Sequence, residues 1–231
     1  MTDMIKKYRV LRPVFVGVIK IIVAVLAMLW FELCAVLSVS GENDMTSFWP
    51  AAVLMLCYSD IMLDYFVFSG MVSRKSTCSI EMMRSSFGGQ KFMTGAVAGE
   101  ALERLWINAL TIIPACVTLI VSGAEDTAGG VILLLTGIIL EYLFSGLVLV
   151  LLRSLNLSVT LYGFLTYVFG IWATALIGLC GEMILKPGPA AEIAIPVLAA
   201  VLSVLGIRLA VKRSAGFYDR GFYDYIERSE K

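Results

Sequence analysis

VFVGVIKIIVAVLAMLWFELCAVLSVS, residues 14–40, is the stretch on which the fold turns. It is almost wholly apolar, with Lys20 and Glu32 as its only charges. A helix that crosses a bilayer needs about 20 mostly apolar residues, and this run exceeds that length. Five more runs of the same kind follow at roughly 49–72, 92–122, 129–152, 158–180 and 190–211. Hydrophobic residues make up 59% of the chain and charged residues 16%, against about 25% charged in soluble domains. These runs predict an all-α polytopic membrane protein with six transmembrane helices. No soluble-like segment is left over, so residues 1–231 read as a single membrane domain.

The flanking charges orient the spans. Lys6, Lys7, Arg9 and Arg12 precede the first run, and Arg74, Lys75, Arg84 and Lys91 follow the second. Arg153 follows the fourth, and Lys212, Arg213, Arg220, Arg228 and Lys231 follow the sixth. The opposite side receives Glu42, Asp44, Glu125, Asp126, Glu182 and a single cation, Lys186. Positive loops stay cytoplasmic, so both termini are expected inside: a cytoplasmic N-terminal segment, 1–13, and a cytoplasmic tail, 212–231. The net charge is zero. The basic residues line the inner rim, where anionic headgroups attract them; the partner they indicate is the lipid bilayer, not nucleic acid.

Several function classes fall away. The chain has no histidine, which removes zinc proteases, Ser-His hydrolases and His-Asp proton relays. It has no Walker-type phosphate loop. Cys34, Cys57, Cys78, Cys116 and Cys180 are isolated and odd in number, so they read as small hydrophobes, not as a disulfide framework. Residues 1–13 are basic and Ser38-Val39-Ser40 has the form of a cleavage site. The apolar run is nevertheless longer than the 7–15 residues of a typical signal core, and a retained first span is expected. Asn156-Leu157-Ser158 fits a glycosylation acceptor but falls in a loop predicted to be cytoplasmic.

The inner connection 73–91 is the longest on its side. Ser79 is a suitable N-cap for a short helix that ends near Ser86 and has Met82 and Met83 on its apolar side. Gly88-Gly89 can end that helix by adopting positive φ. The helical stretch from Lys91 to about Ser122 would run ~48 Å at ~1.5 Å per residue, against ~30 Å of hydrocarbon. It is therefore expected to project into the cytoplasm or to bend near Pro114. Glu100 and Arg104, four apart within it, can pair.

The segment Glu81-Met82-Met83-Arg84-Ser85-Ser86-Phe87-Gly88-Gly89-Gln90-Lys91-Phe92-Met93-Thr94-Gly95 resembles the connection between the second and third spans of ABC-2-type transporter permeases, the membrane-spanning subunits of bacterial ABC exporters. In that family an acidic residue and an apolar pair lead to a Ser-Leu-Pro-like corner, then a basic pair and a glycine. Here Phe87-Gly88 stands at the corner. The resemblance implies six spans, cytoplasmic termini and a dimeric core, either a homodimer or a heterodimer with a second permease, in the cell (cytoplasmic) membrane. It also implies that a coupling helix with Ser79, Glu81, Met82, Met83, Arg84 and Phe87 docks into a separate P-loop ATPase subunit. ATP and Mg would bind in that partner, leaving this chain with no cofactor, metal or catalytic residue of its own. Methionines suit such docking because they adapt to irregular grooves; the competing role is an interfacial helix lying on the headgroups.

The ionisable residues inside the runs are the other candidates. Lys20 lies ~9 Å inside the first span and Asp64 ~12 Å inside the second, so a Lys20–Asp64 ion pair is expected. Asp60 is one turn further out on the same face as Asp64, and two adjacent carboxylates disfavour joint ionisation, so a protonated Asp60 is expected. Glu141 sits near mid-depth in the fourth span, Glu32 in the outer third of the first, and Arg208 near the inner end of the sixth. Lys20, Glu32, Asp60, Asp64 and Glu141 either line a translocation path or pin helix packing. Gly95-x-x-x-Gly99 fits the pattern that lets helix backbones approach closely. Phe48, Trp49, Tyr162, Tyr218 and Tyr223 are expected as interfacial anchors. The tail repeat Gly216-Phe217-Tyr218-Asp219-Arg220, Gly221-Phe222-Tyr223-Asp224-Tyr225 reads as a juxtamembrane segment.

The function expected from these features is that of a permease subunit in an ATP-driven transporter, exporting an amphipathic substrate such as a peptide, lipid or drug. It would not be an enzyme by itself. The alternatives are a proton-coupled secondary transporter that uses the intramembrane Asp and Glu residues, or a membrane-embedded enzyme built on Glu100, Glu103 and Arg104.

Overall fold

A computed structural model describes residues 2–40, 49–72, 88–122, 127–153, 159–184, 194–209 and 211–213. Among them there is no strand. The helices are α1 (Thr2–Leu11), α2 (Val14–Ser40), α3 (Trp49–Val72), α4 (Gly89–Thr111), α5 (Ile113–Ser122), α6 (Thr127–Arg153), α7 (Val159–Ile184) and α8 (Ala194–Arg213). Each of the six apolar runs is thus helical over its described residues. Four helical stretches are long and apolar enough to cross a membrane: α2, the Trp49–Val67 part of α3, Lys91–Ser122 spanning α4 and α5, and α8. In α6 and α7 the described apolar runs are shorter, Ala128–Leu143 and Thr160–Trp172. The chain is a helical membrane protein.

The N-terminal segment is itself a helix. Asp3 sits in the first turn of α1 and Arg9 in the last, which complements the helix dipole at both ends. Lys7 pairs with Asp3 at 2.7 Å across one turn. Pro13 ends the helix by driving Arg12 out of the α region, and its carbonyl then accepts the Val16 N–H at 3.1 Å to begin α2.

Half of the spanning window of α3 is buried, against 28% in α2 and 18% in α8, so α3 is the centre of the bundle and α8 its periphery. α3 packs on α2, α6 and α7, α2 packs on α5, and α1 lies along α4. Gly99 makes that last contact possible. A Cβ there would overlap the Met4 carbonyl and come within 2.9 Å of Ile5 N. The Gly95-x-x-x-Gly99 pattern therefore does admit a close backbone, and the backbone it admits is that of α1. The long third run is interrupted at Ile112, where a turn separates α4 from α5 two residues before Pro114. Proline lacks the N–H that would bond the carbonyl four residues back, so the break falls where a bend was expected.

Two apolar clusters fill the interior. The larger includes Phe31, Trp49, Val53, Ile61, Leu119, Leu134 and Ala199. The smaller holds Tyr8, Leu11, Val16, Leu63, Val67, Met93 and Ala96. Cys34 and Cys57 are free thiols buried in the larger cluster and Cys116 packs against it, as expected of small hydrophobes. Large apolar side chains such as Val14, Trp106, Val121, Phe164 and Trp172 are exposed on the outside, the surface lipid would cover.

Two aromatic expectations are corrected. Trp49 is fully buried against Gly137, and Tyr162 is fully buried and bonded to Asp64. Both lie near helix ends, but their inward faces prevail over their position along the helix. Phe48, Tyr218 and Tyr223 lie outside the described residues.

Candidate functional site

A polar layer lies between the two apolar clusters, and on α2, α3 and α4 its residues fall between positions of the smaller cluster and positions of the larger. On α2, Lys20 follows Val16 of the smaller cluster and precedes Ala27 of the larger. On α3, Asp60 and Asp64 bracket Ile61 and Leu63. On α4, Glu100, Glu103, Arg104 and Asn108 lie between Ala96 and Ile112. All seven of these polar residues, together with Glu141 on α6, are buried.

Their pairing differs from the one expected. Lys20 Nζ lies 3.1 Å from Asp60 Oδ1, so the ammonium takes Asp60 and not Asp64. The charge expected to be neutralised on Asp60 by a proton is matched by Lys20 instead. Asp64 is held by Arg104 Nη2 at 2.8 Å, and the same nitrogen reaches Glu100 Oε1 at 2.6 Å. The physical reason is reach: a guanidinium on the neighbouring helix presents several donors, whereas Lys20 has a single nitrogen already engaged one turn away. Tyr162 on α7 donates its hydroxyl to Asp64 Oδ2. The Glu100–Arg104 pair is as expected.

Asn108 joins α3 to α6. Its amide N–H2 donates to Glu141 Oε2 and faces Asp60 Oδ2 at 3.5 Å. At the other end, Glu103 accepts from Arg9 Nε at 3.1 Å and pairs with Arg12 Nη1. α1 is thereby tied by charge, as well as by Tyr8 and Leu11, to α4. Four of the five intramembrane candidates, Lys20, Asp60, Asp64 and Glu141, fall in or against this network. Glu32 does not: it accepts from Thr118 of α5 at 2.6 Å, about 18 Å along α2 from Lys20. Arg208 is exposed. Ser79, Glu81, Met82, Met83, Arg84 and Phe87 lie outside the described residues, but the corner that follows them does not. Gly88 has φ 88°, the left-handed conformation foreseen for it, and caps α4, which begins at Gly89.

Asn108 and Ser145 were not singled out by sequence, and Tyr162 was expected as an interfacial anchor. Glu100, Arg104 and Asn108 recur at four-residue intervals, as do Asp60 and Asp64, and Glu141 and Ser145. That polar period, on otherwise apolar helices, was the available signal.

Chemically the layer is a set of mutually compensating charges in a low-dielectric interior. Removing one member strands its partner, whereas the intact set fixes the rotation of α2, α3, α4, α6 and α7 relative to one another. Among the described residues no group of three or more His, Cys, Asp or Glu is placed to hold a metal ion. Comparison of the chain with protein-family models, with curated proteins and with solved structures finds no match.

Proposed function

We propose that this chain is the permease subunit of an ATP-driven ABC-type exporter in the cell membrane, with six spans, both termini cytoplasmic and a second permease copy or homologue completing the core. The observation that carries this reading is the position of α4. It starts at a left-handed glycine directly after segment 79–87, and its own side chains contact α1, α3 and α6 through Glu103, Arg104 and Asn108. A displacement applied at the N-terminal end of α4 would therefore reach the centre of the bundle through ion pairs, without depending on loops.

In this scheme a separate P-loop ATPase, holding ATP and Mg, grips the coupling segment through Met82 and Met83, with Ser79, Glu81, Arg84 and Phe87 around them. Closure of the ATPase tilts α4 with α1 attached. The permease contributes the path and no bond chemistry. Apolar walls suit an amphipathic cargo such as a peptide, lipid or drug.

Affinity purification of the tagged chain from its native host tests this. A stoichiometric P-loop ATPase is expected to co-purify, and Met82→Glu combined with Met83→Glu is expected to release it while leaving the chain in the membrane. Absence of any ATPase from the wild-type preparation would refute the assignment.

A further inference from the structure

We propose that Glu141 is a proton-binding site at the centre of the bundle, where the neutral acid closes a two-bond ring with the amide of Asn108. The proposal is independent of the transporter assignment, because it rests on the hydrogen-bond valence of two planar groups inside the polar layer.

The first observation is an acceptor without a donor. Asn108 Nδ2 donates to Glu141 Oε2, but Asn108 Oδ1 is buried with nothing to accept. Glu141 Oε1, in the same contact, is also buried and takes no bond from α4. The two residues are 1% and 0% exposed, and a bare amide oxygen at such depth is costly. Turning the amide round does not cure this. Its nitrogen also faces Asp60 Oδ2 at 3.5 Å, and rotation would set Oδ1 against that carboxylate. The Ser145 hydroxyl, one turn along α6, bonds the Glu141 carboxyl; its single hydrogen is spent there and does not serve Oδ1. A proton on Glu141 Oε1 makes that atom a donor to Oδ1, while Oε2 keeps its bond from Nδ2. Acid and amide then pair head to tail, as a neutral carboxylic acid held in an apolar site is able to do.

The second observation is charge. Asp60 and Glu141 approach the same amide. Asp60 holds the Lys20 ammonium at 3.1 Å, whereas no cation among the described residues forms an ion pair with Glu141. Lys20 acts on it only from a distance, Arg104 of α4 is bonded to Asp64 and Glu100, and the remaining neighbour on α3 is the Cys57 thiol. Of two carboxyl groups on one amide, the one without a counter-charge keeps its proton. The proton that the spacing of Asp60 and Asp64 suggested for Asp60 thus belongs on Glu141. A trapped water would supply the donor that Oδ1 needs, but it would leave a bare carboxylate beside Asp60.

Occupancy of this site decides how α6 is fastened. With the proton in place, two hydrogen bonds join α6 to α4, and Asn108 carries the connection on to Asp60 of α3. Without it, two carboxylates crowd one amide and Oδ1 is bare, so the α4–α6 contact weakens.

Infrared spectroscopy of the purified chain in lipid at neutral pH tests the site. The wild type is expected to show the C=O stretch of a neutral carboxylic acid. Carbon-13 in the glutamate side-chain carboxyls is expected to move that band down, and the same label in aspartate to leave it in place; this comparison needs no variant. Glu141→Gln is expected to remove the band. Asn108→Leu is expected to keep it but to move it upward, because the acid then loses its amide acceptor. A wild type with no acid band, a band that responds to the aspartate label alone, or a glutamate band that survives Glu141→Gln overturns the site. A band unmoved by Asn108→Leu overturns the ring.

Discussion

Gly99→Ala reverses an ordinary expectation. In the interior of a helix, glycine is about 1 kcal/mol worse than alanine, so the substitution normally stabilises. At Gly99 the new Cβ would sit 2.9 Å from Ile5 N and would overlap the Met4 carbonyl. Both atoms are backbone and cannot rotate away. α1 must therefore retreat by about 1.5 Å to restore an ordinary contact, and overpacking of this kind costs about 1–3 kcal/mol. Subtracting the propensity gain leaves a net destabilisation of about 0–2 kcal/mol. A larger side chain, as in Gly99→Val, raises the demand until α1 lets go. The ceiling is set by what α1 buries: Tyr8 and Leu11, at 4% and 7% exposure, contribute about 1.5–3 kcal/mol each. Hydrogen exchange of residues 2–11 reads the outcome directly. Amides of α1 are expected to be protected in the wild type, partly deprotected in Gly99→Ala and fully deprotected in Gly99→Val. A raised melting temperature with unchanged α1 protection in Gly99→Ala would refute the packing of α1 on α4.

Two further outcomes follow from the same structure. Lys20→Met leaves Asp60 buried without its ammonium at 3.1 Å and is expected to destabilise the bundle by about 3–5 kcal/mol, while Lys20→Met with Asp60→Asn recovers most of that loss; a melting curve for Lys20→Met that matches the wild type would contradict the pair. Asp3 is held below its ordinary 3.8 by the hydrogen bond and charge of Lys7, so its contribution to α1 is complete above 3.8 and fades as pH falls through the depressed value; an NMR titration of the Asp3 carboxyl is expected to show this, with Lys7→Met moving the midpoint upward, and an unmoved midpoint would exclude the pair.

The helices themselves were legible because apolar length is a strong signal and nothing competes with it. The polar members of the layer were half legible. Lys20, Asp60, Asp64 and Glu141 stood out because charge is rare in such runs, but their partners depend on how each helix is rotated and how far it slides against its neighbour. Depth measured from helix ends brought Lys20 level with Asp64, and a shift of one turn gave it Asp60. Asn108 and Tyr162 were harder to see because neither carries a charge. Tyr162 and Trp49 were read by their place near helix ends, whereas the face they present decides their burial. α1 escaped notice because its apolar side is only Tyr8, Leu11 and the backbone opposite Gly99, too narrow a stripe to stand out among Lys6, Lys7 and Arg9.

The order in which a ribosome releases these helices bears on how the buried charges survive synthesis. Lys20 and Asp60 belong to the first helical hairpin, so a translocon can admit that hairpin with one ion pair already closed. Asp64 gains Arg104 only forty residues later and Tyr162 ninety-eight residues later, so the polar layer is completed only as α4 and then α7 follow α3 out of the ribosome.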